Sequence, residues 1–272
     1  MIRYKTDEEI QLIRDSAKIL GKVHGEILGK VHGEIAKRVK PGVITKELDT
    51  LAEEFIRDHG ASPSFKNYHG FPAALCISVN ETVVHGFPGN YELKETDIVS
   101  IDCGVKYQGY HSDSAYTYPL EKVSTEVLKL LERTYESLEV GISQARAGNR
   151  MGDVSFAIQQ HVEQFGYGVV RELVGHGVGK DLHEDPEVPN YGKRGKGVKL
   201  APGMVFAIEP MINMGTKNVV QEKDGWTIRT SDRKPSAHFE HTVAIHKDRT
   251  EVITTHEYIE QNYSFKWRNK SR

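Results

Sequence analysis

The chain has 272 residues, 38% hydrophobic and 27% charged, with a formal net charge of −2. That balance describes a soluble globular protein with a sizeable core and no global pull toward nucleic acid or a membrane surface. Its two cysteines, Cys76 and Cys103, exclude a disulfide framework and a cysteine-ligated zinc site.

Cysteine usage suits a reducing compartment. The opening MIRYKTDEEI is too charged for a signal peptide, and no apolar run approaches a membrane span, so the expected address is cytoplasmic. Thr6 with Glu9 three positions on fits a capping box, and apolar residues recur at helical spacing from Ile10 to Ile35. One helix over 6–39 is predicted, stopped by Pro41-Gly42. Inside it lies a tandem duplication, GKVHGEIL at 21–28 followed by GKVHGEIA at 29–36. Eight residues add two turns and rotate the helix face by roughly 80°. The duplicated His24 and His32 are read as part of a solvated face. A second helix is expected over 45–58, and short apolar runs such as ALCISV (74–79) follow among glycines and prolines. Residues 97–118 read as a β-hairpin, 123–146 and 151–165 as amphipathic helices, and the remainder from 168 as strand-rich. The order helix–helix–strands occurs twice. It suggests one α+β catalytic domain over 1–272 made of two similar halves, about 1–120 and 121–262, with a basic tail at 263–272.

Five side chains sit where lone charges would be costly to bury: Asp102, Asp113, His176, Glu209 and Glu240, each in a short apolar, strand-like stretch. Four ionised carboxylates and a neutral imidazole would be balanced by two divalent cations. Such a metal pair makes a nucleophile of water at neutral pH, the signature of a hydrolase. A hairpin centred between Tyr107 and Gln108 sets Asp102 opposite Asp113, whereas a Gln108-Gly109 turn makes them diagonal neighbours on one face. A solvent-facing pair that never meets is the alternative. Glu209 ends the run MVFAIEP, and Glu240 shares a face with His238, Thr242 and Ala244; either glutamate alone could be an edge-strand charge. His176, between glycines in GHGVGKDLHEDP, lies where backbone can approach a ligand closely. His183 and His85 occupy Gly/Pro-rich loops, where a structural histidine is the ordinary reading but functional groups also concentrate.

Assembled, these residues resemble the type I methionine aminopeptidases of the pita-bread metalloprotease family. The likeness runs through VKPG (39–42), YHGFPAALCISVNETVVHG (68–86), SIDCG (100–104), HSD (111–113), GHGVG (175–179), LHEDP (182–186), FAIEPM (206–211), DGWT (224–227) and FEHT (239–242). It implies a pita-bread fold, with a curved antiparallel sheet covered by helices. It also implies removal of the N-terminal methionine from nascent proteins whose second residue is small. On the matching positions, Asp102 would bind one metal, His176 and Glu209 the other, and Asp113 and Glu240 would bridge the two. A water between the metals would attack the first peptide bond, with Glu209 as general base and proton donor. His183 would hydrogen-bond the polarised carbonyl oxygen, and His85 the scissile amide or the leaving amine. Tyr68, Phe71, Cys76 and Trp226 would form the methionine pocket, and Asn80, Thr82 and Ser236 a monovalent-cation site.

The metals would be Mn, Fe, Co or Zn, and the family implies a monomer. The basic tail, with Trp267, could touch ribosomal RNA transiently or be solvated; no DNA or membrane partner is expected. Leu182 stands where the family often has an aromatic, which predicts a looser pocket rim. A proline-directed aminopeptidase or prolidase shares the ligand set, and a metal-free binding module shares the fold. Turnover of Met-Ala-Ser against Ala-Pro peptides, with and without chelator, separates the three.

Overall fold

In the computed structural model, which describes residues 1–17 and 27–264, the central feature is a ten-on-ten antiparallel hairpin. Ile98–Tyr107 pairs with Tyr110–Pro119 around Gln108 (φ 49°) and Gly109 (φ 85°). Both turn residues take positive φ, as the tightest hairpin connections require. This turn settles the register: Asp102 faces Ala115 and Asp113 faces Gly104, so the two aspartates are diagonal neighbours on one face. The strand Leu75–Val79 adds to the Ile98–Tyr107 edge and sets Cys76 opposite Asp102. Ser62–Pro63 pairs further along the same strand, opposite Val105 and Lys106.

Five short strands make a second antiparallel sheet, in the order Thr250–Val252, His241–Ile245, Val205–Ile208, Gly175–Gly177 and Glu184–Val188. Two further sheets have three strands each among the described residues. Across the middle, the Tyr110–Pro119 strand meets the segment leading into His241–Ile245. Glu240 N–H donates to Ala115 O at 3.0 Å, Asp113 N–H donates to the Thr242 hydroxyl at 3.2 Å, and that hydroxyl donates to Asp113 O at 2.8 Å. These bonds bring two distant carboxylates to one point.

Among the described residues six α-helices pack with the sheets: α1 (Asp7–Ala17), α2 (Ile27–Arg38), α3 (Thr45–Asp58), α4 (Thr125–Gln144), α5 (Met151–Glu163) and α6 (Glu257–Asn262). The α1 capping box forms as expected, with Thr6 N–H on Glu9 Oε2 and Glu9 N–H on the Thr6 hydroxyl. In α3, Leu48, Ala52 and Ile56 lie on one face and are buried, in line with the spacing. Fully burying a leucine or isoleucine contributes about 1.5–3 kcal/mol, so this stripe fixes α3 against the sheet. None of the described helices is long and apolar enough to cross a membrane.

The predicted helix over 6–39 corresponds to α1 and α2 at its ends; its middle and most of the first repeat copy, with His24, lie outside the described residues, as does most of the basic tail with Trp267. His32 corrects the solvated-face reading. It is fully buried in α2, its Nε2 3.0 Å from Ser114 O, and burial pushes its pKa down to about 4. The repeat turns its own face by roughly 80°, so the helical pattern could not say which copy meets the core.

α1 is tied to the second sheet by Arg14, whose Nε and Nη2 donate to Glu251 at 2.7 and 2.9 Å, while His246 Nε2 sits 2.8 Å from the same carboxylate. The Arg14 hydrogen bond, aided by His246, lowers the Glu251 pKa from 4.5 to about 2 against the effect of burial. The pairing therefore stabilises the fold fully above pH ~4.5 and is lost as pH falls from there through about 2. Glu251→Gln is expected to lower the melting temperature near neutral pH and to flatten its fall in acid. Thermal melts across that range check this; identical acid limbs for both proteins would refute it.

Candidate metal centre

All four carboxylates and the imidazole singled out in the sequence line one cavity of about 700 Å³, together with His85, His183, Tyr68, Phe71, Cys76 and Trp226. Each arrives by a different route. Asp102 and Asp113 come from the hairpin strands. His176 stands between Gly175 and Gly177, where a side chain would run into the carbonyl oxygens of Ala207 and Asp185 respectively. Close backbone packing there demands glycine and fixes the imidazole. Glu209 directly follows the Val205–Ile208 strand, and its carbonyl accepts from Asn190 Nδ2 at 3.0 Å. Glu240 is held by the Ala115 bond and by its own carbonyl, which accepts from the Ser114 hydroxyl at 3.0 Å.

Ligand atoms of Asp113, His176 and Glu240 all lie within 4.8 Å of one another, a grouping that could hold a metal ion. His176 Nε2 lies 3.8 Å from Asp113 Oδ2 and 3.6 Å from Glu209 Oε1. Asp102 Oδ1 and Glu240 Oε1 are buried and have no hydrogen-bond partner among the described residues. Buried acceptors are nearly always satisfied, so these orphans point to a missing cation. Burial, reinforced by the neighbouring carboxylates, drives Asp102 and Glu240 well above the usual range. Burial likewise lifts Asp113, beside Glu209, to about 8, and Glu209 to about 8. Without a cation, this group holds protons at neutral pH. The donor set, oxygen-rich with one imidazole, fits divalent cations.

Beside this centre, Phe65, Phe71, Ala73, Cys76 and Leu182 form a small buried apolar cluster joined by Tyr68, Phe87 and Trp226. Phe71 meets Trp226 edge-on at 5.3 Å. Leu182, expected at the pocket rim, is buried and belongs to this cluster. His183 Nδ1 lies 2.8 Å from the Tyr68 hydroxyl, and its ring meets that of His176 at 4.1 Å. Desolvation within the cavity lowers the His183 pKa to about 4, although the residue keeps an exposed edge. In the neutral ring a donating Tyr68 hydroxyl leaves the N–H on Nε2. His85 closes the Thr82–Val84 strand with φ 57°, an uncommon backbone state for a bulky residue. Burial takes it to about 4 as well, with His238 adding to the effect.

Sequence reasoning passed over two residues here. His238 is fully buried, its Nε2 3.5 Å from Glu209 Oε2 and without a hydrogen-bond partner among the described residues. Its only signal was a shared face with Glu240. Phe65, in the pocket cluster, gave none. The Asn80, Thr82 and Ser236 trio lies apart from the cavity. Asn80 O accepts from Ser236 N–H at 2.9 Å, and the Asn80 amide is engaged by Asp97 and Ile98.

A family model, Metallopeptidase family M24, matches residues 16–247. The methionine aminopeptidase of Clostridium perfringens is 53% identical over 93% of this chain and 99% of its own. The chain belongs to the methionine aminopeptidases of metallopeptidase family M24. A crystal structure of methionine aminopeptidase from Thermotoga maritima superimposes with a TM-score of 0.89 at 42% identity, covering 94% of this chain and all of that one. The fold is thus the pita-bread fold expected from the sequence. A prolidase from Pyrococcus furiosus, at 23% identity and TM-score 0.74, covers 93% of this chain and 65% of its own, a likeness that speaks to the fold alone. Membership of a metallopeptidase family and the orphaned carboxylates agree on divalent metal use.

Proposed function

We propose that the protein removes the N-terminal methionine from peptides and nascent proteins whose second residue is small. The observation that carries this reading is the placement of an unsatisfied carboxylate cluster beside an aromatic, sulfur-containing pocket in one cavity. In this reading Asp102 would hold one divalent cation, His176 and Glu209 would hold a second, and Asp113 and Glu240 would serve both. Mn, Fe, Co and Zn all suit the donor set. Two such ions, when bound, supply the Lewis acidity that ionises water near neutral pH and polarises the scissile carbonyl.

The protein's own groups do the rest. Tyr68, Phe71, Cys76 and Trp226 receive the methionine side chain, whose polarizable thioether favours aromatic and sulfur surfaces. Glu209 takes a proton from the attacking water and returns it to the departing amine as the C–N bond breaks and the C–O bond forms. The Nε2–H of His183 donates to the carbonyl oxygen as negative charge develops there. His85 orients the scissile amide. A monovalent cation beside Asn80, Thr82 and Ser236, a cytoplasmic monomer and transient ribosome contact through the basic tail complete the reading.

Met-Ala-Ser and Ala-Pro peptides, each assayed with added metal and with chelator, test it. Turnover of the first alone, abolished by chelation, is the expected result. Turnover of the second instead would establish a proline-directed enzyme. Turnover of neither with any of the four metals would leave a binding role.

A further inference from the structure

The strap formed by residues 3–5 crosses the loop that carries His183, and the two are joined by charge buried from solvent. Lys5 Nζ donates to Glu184 Oε2 at 2.7 Å, with the two side chains only 4% and 3% exposed. The other oxygen, Glu184 Oε1, accepts from Asp181 N–H at 3.3 Å and from Arg3 Nη1 at 3.3 Å; the same Arg3 nitrogen donates to Asp181 Oδ2 at 2.7 Å. Lys5 is itself fixed at three points. Its N–H donates to Gly203 O at 2.7 Å, its Nζ also donates to Arg3 O at 3.1 Å, and its stem passes Gly179, where a side chain would collide with both Lys5 Cε and the Glu184 carboxylate.

A buried ion pair is a poor device for stability alone, because desolvating both partners offsets most of their attraction. What this pair does is fix a position. Glu184 follows His183 directly and stands opposite Gly177, the neighbour of His176, in the strand pairing. Its carboxylate closes the turn from Asp181 to Glu184. His183 is thereby held between two anchors, the Tyr68 hydroxyl on its ring and the Glu184 anchor on its backbone.

We infer that Lys5 and Glu184 are positioning residues for the reaction, a strap-to-loop ion pair that sets where His183 meets the substrate. This rests on the role proposed for His183. Small displacements of a catalytic group lower turnover without abolishing binding, so Lys5→Met is expected to cut kcat about tenfold with little change in KM. The same loss is expected for Glu184→Gln, which keeps the side-chain shape and serves if the lysine variant does not fold. The deciding measurement is each substitution repeated in a His183→Ala background. If the strap acts through His183, it has nothing left to position there, and no further loss of kcat appears. A loss of equal size in both backgrounds would overturn the strap's role and leave it merely structural; so would an unchanged kcat in either single variant. Full activity of His183→Ala by itself would instead overturn the role of His183, a distinct result.

Discussion

Glu209→Gln is expected to lower kcat on a Met-Ala-Ser peptide by about 10²–10⁴-fold, the usual contribution of a positioned general base, with KM little altered. The amide keeps the size of the carboxylate and leaves the backbone bond from Asn190 to Glu209 O in place, so the fold should survive. What the substitution removes is the capacity to accept a proton and return it. Because Glu209 is also assigned to a cation, bound metal is to be measured in the same sample. Near-normal turnover with metal retained would show that the proton moves through another group. His238, 3.5 Å from Glu209 Oε2, would then be the first alternative.

The second large effect concerns pH and the metal-free protein. Folding raises Asp113 from 3.8, and Glu209 from 4.5, each to about 8, and takes Asp102 and Glu240 well above their ordinary values, burial being the main cause. A carboxyl group raised in this way contributes stability that is fully present below its unfolded pKa and is lost as pH rises through its folded one. The metal-stripped protein is therefore expected to lose melting temperature steadily between about pH 4.5 and 8, the four groups acting together. Cations hold the same carboxylates ionised, so the loaded protein should lack that slope. Metal binding near neutral pH should expel protons, visible as a calorimetric heat that depends on the buffer's ionisation enthalpy. Parallel melting curves for stripped and loaded protein would refute the account.

Much of this was legible in the residues. Charges in apolar strands announced Asp102, Asp113, Glu209 and Glu240, because burying them needs a reason. The hairpin was narrowed to two registers, and the turn chemistry of Gln108-Gly109 decided between them. Other features depend on contacts that no local pattern records. His32 faces the core, yet a repeat that turns its own helix face hides which copy does so. Leu182 sits in a glycine-rich loop, and its burial in a cluster with Phe71, Cys76 and Trp226 comes from tertiary packing. Lys5 and Glu184 look like ordinary surface charges in sequence; their pairing closes a separation of 179 residues.

The hydroxyl of Thr242 that grips the backbone of Asp113 from both sides has a consequence for synthesis. One half of the charged cluster leaves the ribosome long before the other, and neither can be locked until residues near 240 have emerged. A copy cut short before that point would be inert rather than feeble. Competence thus waits on the later-made partner of a strand that was finished about 130 residues earlier.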